Sequence, residues 1–284
     1  MQTIFVMLMY KITPFLFKTV KGLVKGEKGE TELLKKDWQK DVVYLVQFPR
    51  SPTIPNFSPF CIKIESFMRV NKIKYEIIST MSSRSKHNLL PFIELNGHQI
   101  ADSQLILIKL KEYFKVQDYK NARDAATGRM IERAVEAHTF HAINYFKVYE
   151  NPAAFVSLLS SLIENPIFNL VKPFLVPIVA KVFKGKVKQR ISIGLGLFSR
   201  EEMKDLLHRD LQSFEDLLGE NKTFFGDKFT EADLTVFSHF AVTTYIPLEC
   251  YTKQILKEGK KFPRVSAFLQ NVRDEVWGKE FEKN

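Results

Sequence analysis

Apolar residues follow two rhythms along this chain, and the change between them comes near residue 115. Val42 to Phe48 (VVYLVQF) is a run of β-branched and aromatic residues and predicts a buried strand. Lys74 to Ser79 (KYEIIS) predicts a second strand, and Phe92 to Leu95 a third. Asn96-Gly97 suits a type I′ turn, so His98 to Ile100 is expected to return antiparallel to the third strand. Between these lie helical patterns. One opens at Ser58-Pro59, with Ser58 at the N-cap and Pro59 at the first helical position, and runs to about Val70. Another covers Asp102 to Phe114. Beyond residue 120 every apolar stretch reads as helix. Ala122 to Tyr149 is expected as one long helix. Ala153 to Leu162 and Ile167 to Phe183 are strongly apolar, broken by Pro166, Pro173 and Pro177. Glu201 to Leu218 is a further helix.

The first 26 residues differ from both parts. Lys11 and Lys18 interrupt an apolar segment, and its unbroken runs are far shorter than the ~20 residues that span a bilayer. At ~100° per residue, Lys11, Lys18, Lys21 and Lys25 fall within about 80° of arc, and Phe5, Met9, Ile12, Leu16, Val20 and Leu23 lie opposite. The pattern predicts an amphipathic helix that lies on a membrane, with Pro14 as a kink. No small-residue cleavage site follows it, against a secretory signal; it has no Arg and little Ser, against a mitochondrial presequence. As a signal anchor, lysines following the apolar part would keep the main body facing the cytoplasm. The organelle stays open, a lysosomal or other endomembrane surface being compatible. Residues 27–40 read as a charged linker that turns helical near Glu32. Residues 41–115 and 120–284 follow as two domains, in keeping with a length of 284.

Charge sharpens the membrane expectation. The net charge is +10, and residues 1–40 with residues 165–200 hold the surplus, about +4 and about +7. Both basic stretches adjoin apolar ones, which points to an anionic membrane surface through residues 1–26 and through residues 165–200 rather than to nucleic acid. A merely solvated basic face is the alternative. Composition excludes disordered, collagen-like and polytopic membrane classes: 45% of residues are hydrophobic and 26% charged. With only Cys61 and Cys250, neither a disulfide framework nor a cysteine-rich zinc site is available, and a reducing location is the default. His138 and His141 could share a helix face, but no third ligand accompanies them, so no metal site is expected.

Two motifs carry a resemblance. Ser58-Pro59-Phe60-Cys61 resembles the Cys/Ser-Pro-Phe/Tyr-Cys turn of glutaredoxins and some glutathione transferases. Leu90-Pro91-Phe92-Ile93-Glu94-Leu95-Asn96-Gly97, followed by Ile100-Ala101-Asp102-Ser103, is similar to the transferases' stretch from the cis-proline to the Glu/Asp-Ser turn. In the second domain, Thr230 and Asp233 are placed for a reciprocal capping box, with Phe229 and Leu234 as its hydrophobic staple. The surrounding Gly226-Asp227-Lys228-Phe229-Thr230-Glu231-Ala232-Asp233 resembles the transferases' Gly-Asp-x-x-Thr-x-Ala-Asp box. Phe262-Pro263-Arg264-Val265 opening a last helix, with Trp277 near its end, resembles that domain's tail. Phe48-Pro49-Arg50 through Ser58-Pro59-Phe60-Cys61, with Arg50 to Phe57 inserted, together with the basic Asn165 to Phe198 stretch, looks like the failed-axon-connections and cadmium-responsive proteins, relatives of the metaxins. The resemblance implies a glutathione transferase-like fold: an α/β thioredoxin-like domain, then an all-α domain, here preceded by the apolar N-terminal helix. Of cadmium it implies regulation by the metal, not binding.

The same resemblance implies a glutathione site. The backbone of Leu90, before Pro91, would pair with the cysteine unit of the peptide. Asp102 and Ser103 would hold its γ-glutamyl end, Ser103 at a helix N-terminus where carboxylates are favoured. Ser58 would donate a hydrogen bond to the glutathione thiol and favour the thiolate, which is the nucleophile. Cys61 is the rival thiol, one turn into the helix, where the dipole lowers a thiol pKa; a packed, inert Cys61 is the other reading. Two functions are therefore expected in competition. One is a membrane-associated, glutathione-dependent stress or detoxification protein acting on apolar electrophiles, with a homodimer compatible. The other is a non-catalytic adaptor that reuses the fold.

Overall fold

The computed structural model describes residues 32–282, apart from 164, 227 and 258–260. The expected helix over 1–26 and the start of the linker lie outside the described residues. The chain divides into two compact units. The described part of the first is 32–49 with Asn71–Lys115; the second is Arg50–Val70 with Val116 onward. Against the expectation of one unbroken domain over 41–115, the segment Arg50–Val70 groups with the helical unit.

The first unit is built on four strands: β1 (Val43–Gln47), β2 (Tyr75–Ser79), β3 (Phe92–Leu95) and β4 (His98–Ala101). Their order is β2-β1-β3-β4. β1 runs parallel to β2 and antiparallel to β3, and β3 runs antiparallel to β4. β1 is central and buried at every position, which explains its unbroken apolar run. Asn96 and Gly97 both have positive φ, 49° and 80°, as the tight β3–β4 turn requires. Val46, Phe92 and Ala101 form a buried cluster with Ile78 and Leu90 packed against it.

Residues 32–41 correct the linker expectation. They form bends and turns, not helix, and they are tied to the sheet. The buried Glu94 carboxylate accepts the backbone N–H groups of Leu34 (2.7 Å) and Lys35 (2.9 Å). Asn96 Oδ1 accepts the Asp41 N–H at 2.8 Å, and the Trp38 ring lies against Gly97, where an added Cβ would stand 3.2 Å away. Two charge-assisted bonds on one carboxylate hold this strap far more firmly than a solvated linker.

The second unit contains α1 (Pro59–Val70) and, after the α2 helix of the first unit (Ser103–Phe114), α3 (Ala122–Ala134). The predicted long helix to Tyr149 is continuous but not uniform. It passes through a π-helical turn at Val135–Thr139, α4 at Phe140–Asn144, and a second π-helical turn at Tyr145–Tyr149. Then come α5 (Pro152–Ser160), α6 (Pro166–Gly194), α7 (Arg200–Leu218), α8 (Glu231–Thr244), α9 (Tyr251–Lys257) and α10 (Pro263–Val272), which continues through a π-helical turn to Trp277. Pro173 and Pro177 do not break their segment. They sit inside the 29-residue α6, against the expected interruption. Their exposed face explains the tolerance: the carbonyls left without N–H partners are not forced into an apolar interior.

α8 is buried along Glu231–Thr243, on every side, as the central helix of the unit must be. Its predicted capping box is present. Thr230 Oγ1 receives the Asp233 N–H, Asp233 Oδ2 receives the Thr230 N–H at 2.8 Å, and Asp233 Oδ1 takes the Phe224 N–H at 2.8 Å. A second box, Ser199 with Glu202, starts α7. Its Ser-x-x-Glu spacing was legible in the sequence.

Candidate functional site

In the first unit the antiparallel register brings the glutathione-type residues together. Phe92 pairs with Ala101. One residue beyond that pair lie Pro91 on one strand and Asp102 on the other, so Leu90-Pro91 and Asp102-Ser103 share one end of the sheet. The Leu90–Pro91 peptide is cis, as the resemblance expected. The Leu90 side chain packs on the Val46–Phe92–Ala101 cluster, which fixes where its backbone sits. The preceding loop is held by its own hydroxyls. Thr80 Oγ1 accepts the Ser82 and Ser83 N–H groups, and Ser85 Oγ accepts those of His87 and Leu89.

Asp102 is the N-cap of α2. Its side chain accepts the Gln104 N–H at 2.9 Å, and its carbonyl accepts the Ile106 N–H at 2.9 Å. Its backbone is strained, with φ 76° and ψ 129°, outside the wells that a side chain normally permits. Ser103 follows, buried at the first helical position. A γ-glutamyl group carries one carboxylate and one ammonium. The N-terminus of α2 offers partial positive charge to the former, and the half-buried Asp102 carboxylate offers negative charge to the latter. The residues present fit the peptide.

The other motif, Ser58 to Cys61, belongs to the helical unit and is built into its packing. Ser58 is half-buried; its carbonyl accepts the Ile62 N–H and its own N–H is donated to Asn56 Oδ1 at 3.0 Å. Cys61 is wholly buried and is not in a disulfide with Cys250. The inserted Arg50–Phe57 segment is not a loose loop: Ser51, Ile54, Asn56 and Phe57 are buried. Arg50 forms an ion pair with the buried Glu65, and its guanidinium lies over the Trp277 ring. Phe60 meets His239 edge-on, with ring centroids 5.2 Å apart.

Below Phe60 lies a polar cluster that the sequence reading missed. Lys63 of α1, which is buried, pairs with the half-buried Glu136 of the first π-helical turn; Arg133 adds a second partner to Glu136. The lysine and arginine hold the Glu136 carboxyl below its ordinary range, against the burial that opposes them. His239 donates Nδ1–H to the Thr235 carbonyl at 2.8 Å, and its Nε2 has no hydrogen-bond partner among the described residues. Burial pushes the His239 pKa down to about 4, so the ring is neutral. The sequence signal for this cluster was weak, since Lys63 and Glu136 are 73 residues apart. His138 and His141 do not act as a pair. His138 bonds Asp210 at 2.9 Å, and His141 lies against Gly194. Among the described residues no group of three His, Cys, Asp or Glu side chains could hold a metal.

The helical unit also contains a cavity of about 290 Å³ lined by Tyr145, Tyr149, Lys188, Ile191 and Phe198 among others. None of the glutathione-site residues named from the sequence, Ser58, Cys61, Leu90, Pro91, Asp102 or Ser103, lines it.

Comparison with known proteins agrees with this architecture. The glutathione S-transferase N-terminal domain family matches residues 59–153, and the glutathione S-transferase C-terminal domain family matches residues 207–272. Failed axon connections of Drosophila melanogaster is 33% identical over 261 residues, covering 86% of this chain; the chain spans 60% of that protein's length. Two crystal structures share the fold. Glutathione transferase GSTFuA3 from Phanerochaete chrysosporium aligns with TM-score 0.58 at 15% identity, over 82% of this chain and 97% of that one. The Tau class transferase MiGSTU from mango, Mangifera indica, aligns with TM-score 0.51 at 13% identity, over 83% and 90%. The chain thus belongs to the glutathione S-transferase-like family that includes Failed axon connections.

Proposed function

We propose that this chain is a glutathione-binding protein of transferase type, working at a membrane surface in stress or detoxification chemistry on apolar electrophiles. The observation that carries the reading is the Phe92–Ala101 register, which sets Leu90-Pro91 beside the strained Asp102 and Ser103 at the start of α2. The Leu90 backbone would pair with the cysteine unit of the peptide, and Asp102 and Ser103 would receive its γ-glutamyl end. The reacting thiol is then the ligand's own, in line with the burial of Cys61. Ser58 retains the role that the resemblance gave it, donation to the glutathione thiolate. Attachment through residues 1–26, with the main body facing the cytoplasm, and a homodimer complete the reading.

The test is thermal unfolding of the full chain against rising glutathione, for wild type and for Ser103→Ala. A ligand at a hundredfold excess over its dissociation constant stabilises by about 2.7 kcal/mol. A saturable rise in Tm that Ser103→Ala removes supports the reading. Ser58→Ala should then lower conjugation while leaving that rise in place. The second reading is an adaptor without catalysis, favoured by the burial of the inserted Arg50–Phe57 segment in the helical unit. No shift in Tm at cellular glutathione levels would select it.

A further inference from the structure

α6 presents a face that its own unit leaves uncovered. Its inner side is packed, with Ala180 and Ile191 buried and Phe183 against Phe155 at 6.2 Å between centroids. On its outer side Leu170, Phe174, Ile178 and Val182 are 67%, 77%, 65% and 46% exposed. Their spacing of four residues makes one ridge about 18 Å long at 1.5 Å per residue. Pro173 and Pro177 extend the exposed apolar surface beside it. Four large apolar side chains in a row go beyond the scattered exposure of an ordinary surface.

The charge of the same helix says what would cover the ridge. α6 holds Lys172, Lys181, Lys184, Lys186, Lys188 and Arg190 and no acid. Among the described residues, none of Lys172, Lys181, Lys184, Lys188 and Arg190 is paired with a carboxylate. By helical spacing Lys181 and Lys188 fall within the ~120° arc that holds the ridge. A second copy of α6 would bring six more cations to the contact, which repel. Residues 1–31, with five lysines against two glutamates, are like-charged too. An anionic lipid surface satisfies both halves, with acyl boundary for the ridge and phosphates for the lysines. The helix cannot cross the bilayer. No described helix is long and apolar enough to do so, and the two prolines leave carbonyls that need water.

We propose that α6 is an interfacial lipid-docking helix, seated on anionic membranes through Leu170, Phe174, Ile178 and Val182 with Lys181 and Lys188 against the headgroups. The inference rests on the membrane part of the function proposed above and is independent of glutathione. The ~30 Å hydrocarbon core is not traversed; the ridge enters only the headgroup–acyl boundary.

The test uses the full chain with Phe174→Cys carrying an environment-sensitive fluorophore, since both native thiols are buried. Ser213→Cys, exposed on α7, carries the same fluorophore as the control. Vesicles of phosphatidylcholine are compared with vesicles containing about a quarter phosphatidylserine. The expected result is a blue shift and rise in emission at 174 with the anionic vesicles alone, and none at 213. Lys181→Gln with Lys188→Gln should raise the lipid needed for half the response about thirtyfold, at roughly fivefold per lysine. If the protein floats with the vesicles while the 174 signal stays constant, another segment attaches it and α6 is excluded, while the membrane reading survives. If it does not float, both fall. An equal response to neutral vesicles, or one that grows with protein concentration without lipid, also overturns the proposal.

Discussion

Trp277 donates its indole N–H to the Ser66 hydroxyl at 3.0 Å, linking residues 211 positions apart. Both are buried, and the Arg69 guanidinium lies 4.2 Å from the Trp277 ring centroid. This contact fastens α1 to the end of the chain. Trp277→Ala should lose about 3–5 kcal/mol in urea unfolding, from lost volume and the unsatisfied hydroxyl. Ser66→Ala should lose about 1 kcal/mol. The double variant should cost less than the sum, and full additivity would show that the pair does not interact.

Lys147 is a buried cation with one weak contact to the Val242 carbonyl at 3.4 Å and the Phe155 ring beneath it. Burial pushes its pKa down to about 8. The unfolded chain holds this proton up to about 10.4, so between pH 8 and 10.4 the unfolded state binds more protons and stability rises with pH. Lys147→Met should raise stability at pH 7 by on the order of 3 kcal/mol and abolish that rise. Urea titrations at pH 7 and pH 10 check both; a destabilised variant would mean the ammonium is better satisfied than its contacts suggest.

His239 and Asp233 should oppose one another in acid. The neutral His239, at about 4, contributes stability that is full above pH 6.5 and lost as pH falls through 4. Burial pushes Asp233 up to about 6, so its contribution is full below 3.8 and lost as pH rises through 6. Between pH 4 and 6 the two slopes cancel in part. His239→Leu should therefore expose a stability that falls as pH rises over that range, read from unfolding midpoints at half-unit steps. An unchanged pH profile would remove His239 from the account.

Gly128 tests packing against propensity. Alanine is the better helix former by about 1 kcal/mol, so Gly128→Ala would ordinarily stabilise α3. Here a Cβ would stand 2.2 Å from the Tyr119 hydroxyl, which bonds Glu132 at 3.1 Å and receives the Ala232 N–H at 3.3 Å. The ring carbons Cζ and Cε1 of Tyr119 would stand 2.4 and 2.6 Å away as well, so the expected outcome in urea unfolding is a loss of about 1–3 kcal/mol that Tyr119→Phe, which keeps those carbons, does not fully rescue.

The sequence was most readable where structure is local. The four strands, the Asn96-Gly97 turn and the Thr230–Asp233 box follow from residue type and spacing over a few positions, and each is where it was expected. The cis Leu90–Pro91 peptide and the Asp102–Ser103 start of α2 were legible only through resemblance. What stayed hidden depends on partners far along the chain. Glu94 gives no hint in the sequence that its carboxylate holds Leu34 and Lys35. The π-helical turns inside Ala122–Tyr149 are five residues each, too short for periodicity to tell them from the α-helix around them. The prolines of α6 misled for a physical reason. A breaker rule assumes a helix whose carbonyls have nowhere else to turn, and these face solvent.

The assignment of Arg50–Val70 to the helical unit has a consequence during synthesis. The ribosome completes β1 to β4 early, but α1 emerges among them without its proper neighbours. α1, in which Cys61, Ile62, Ile64, Phe67 and Met68 are buried, packs on α8, and Ser66 waits for Trp277, 211 residues further on. At ~5–20 residues per second that interval is ~10–40 s. For that time a nascent chain carries α1 without its α8 and Trp277 partners. It also means that cutting the chain after residue 115 would not yield an independent first domain but a fragment with α1 stranded.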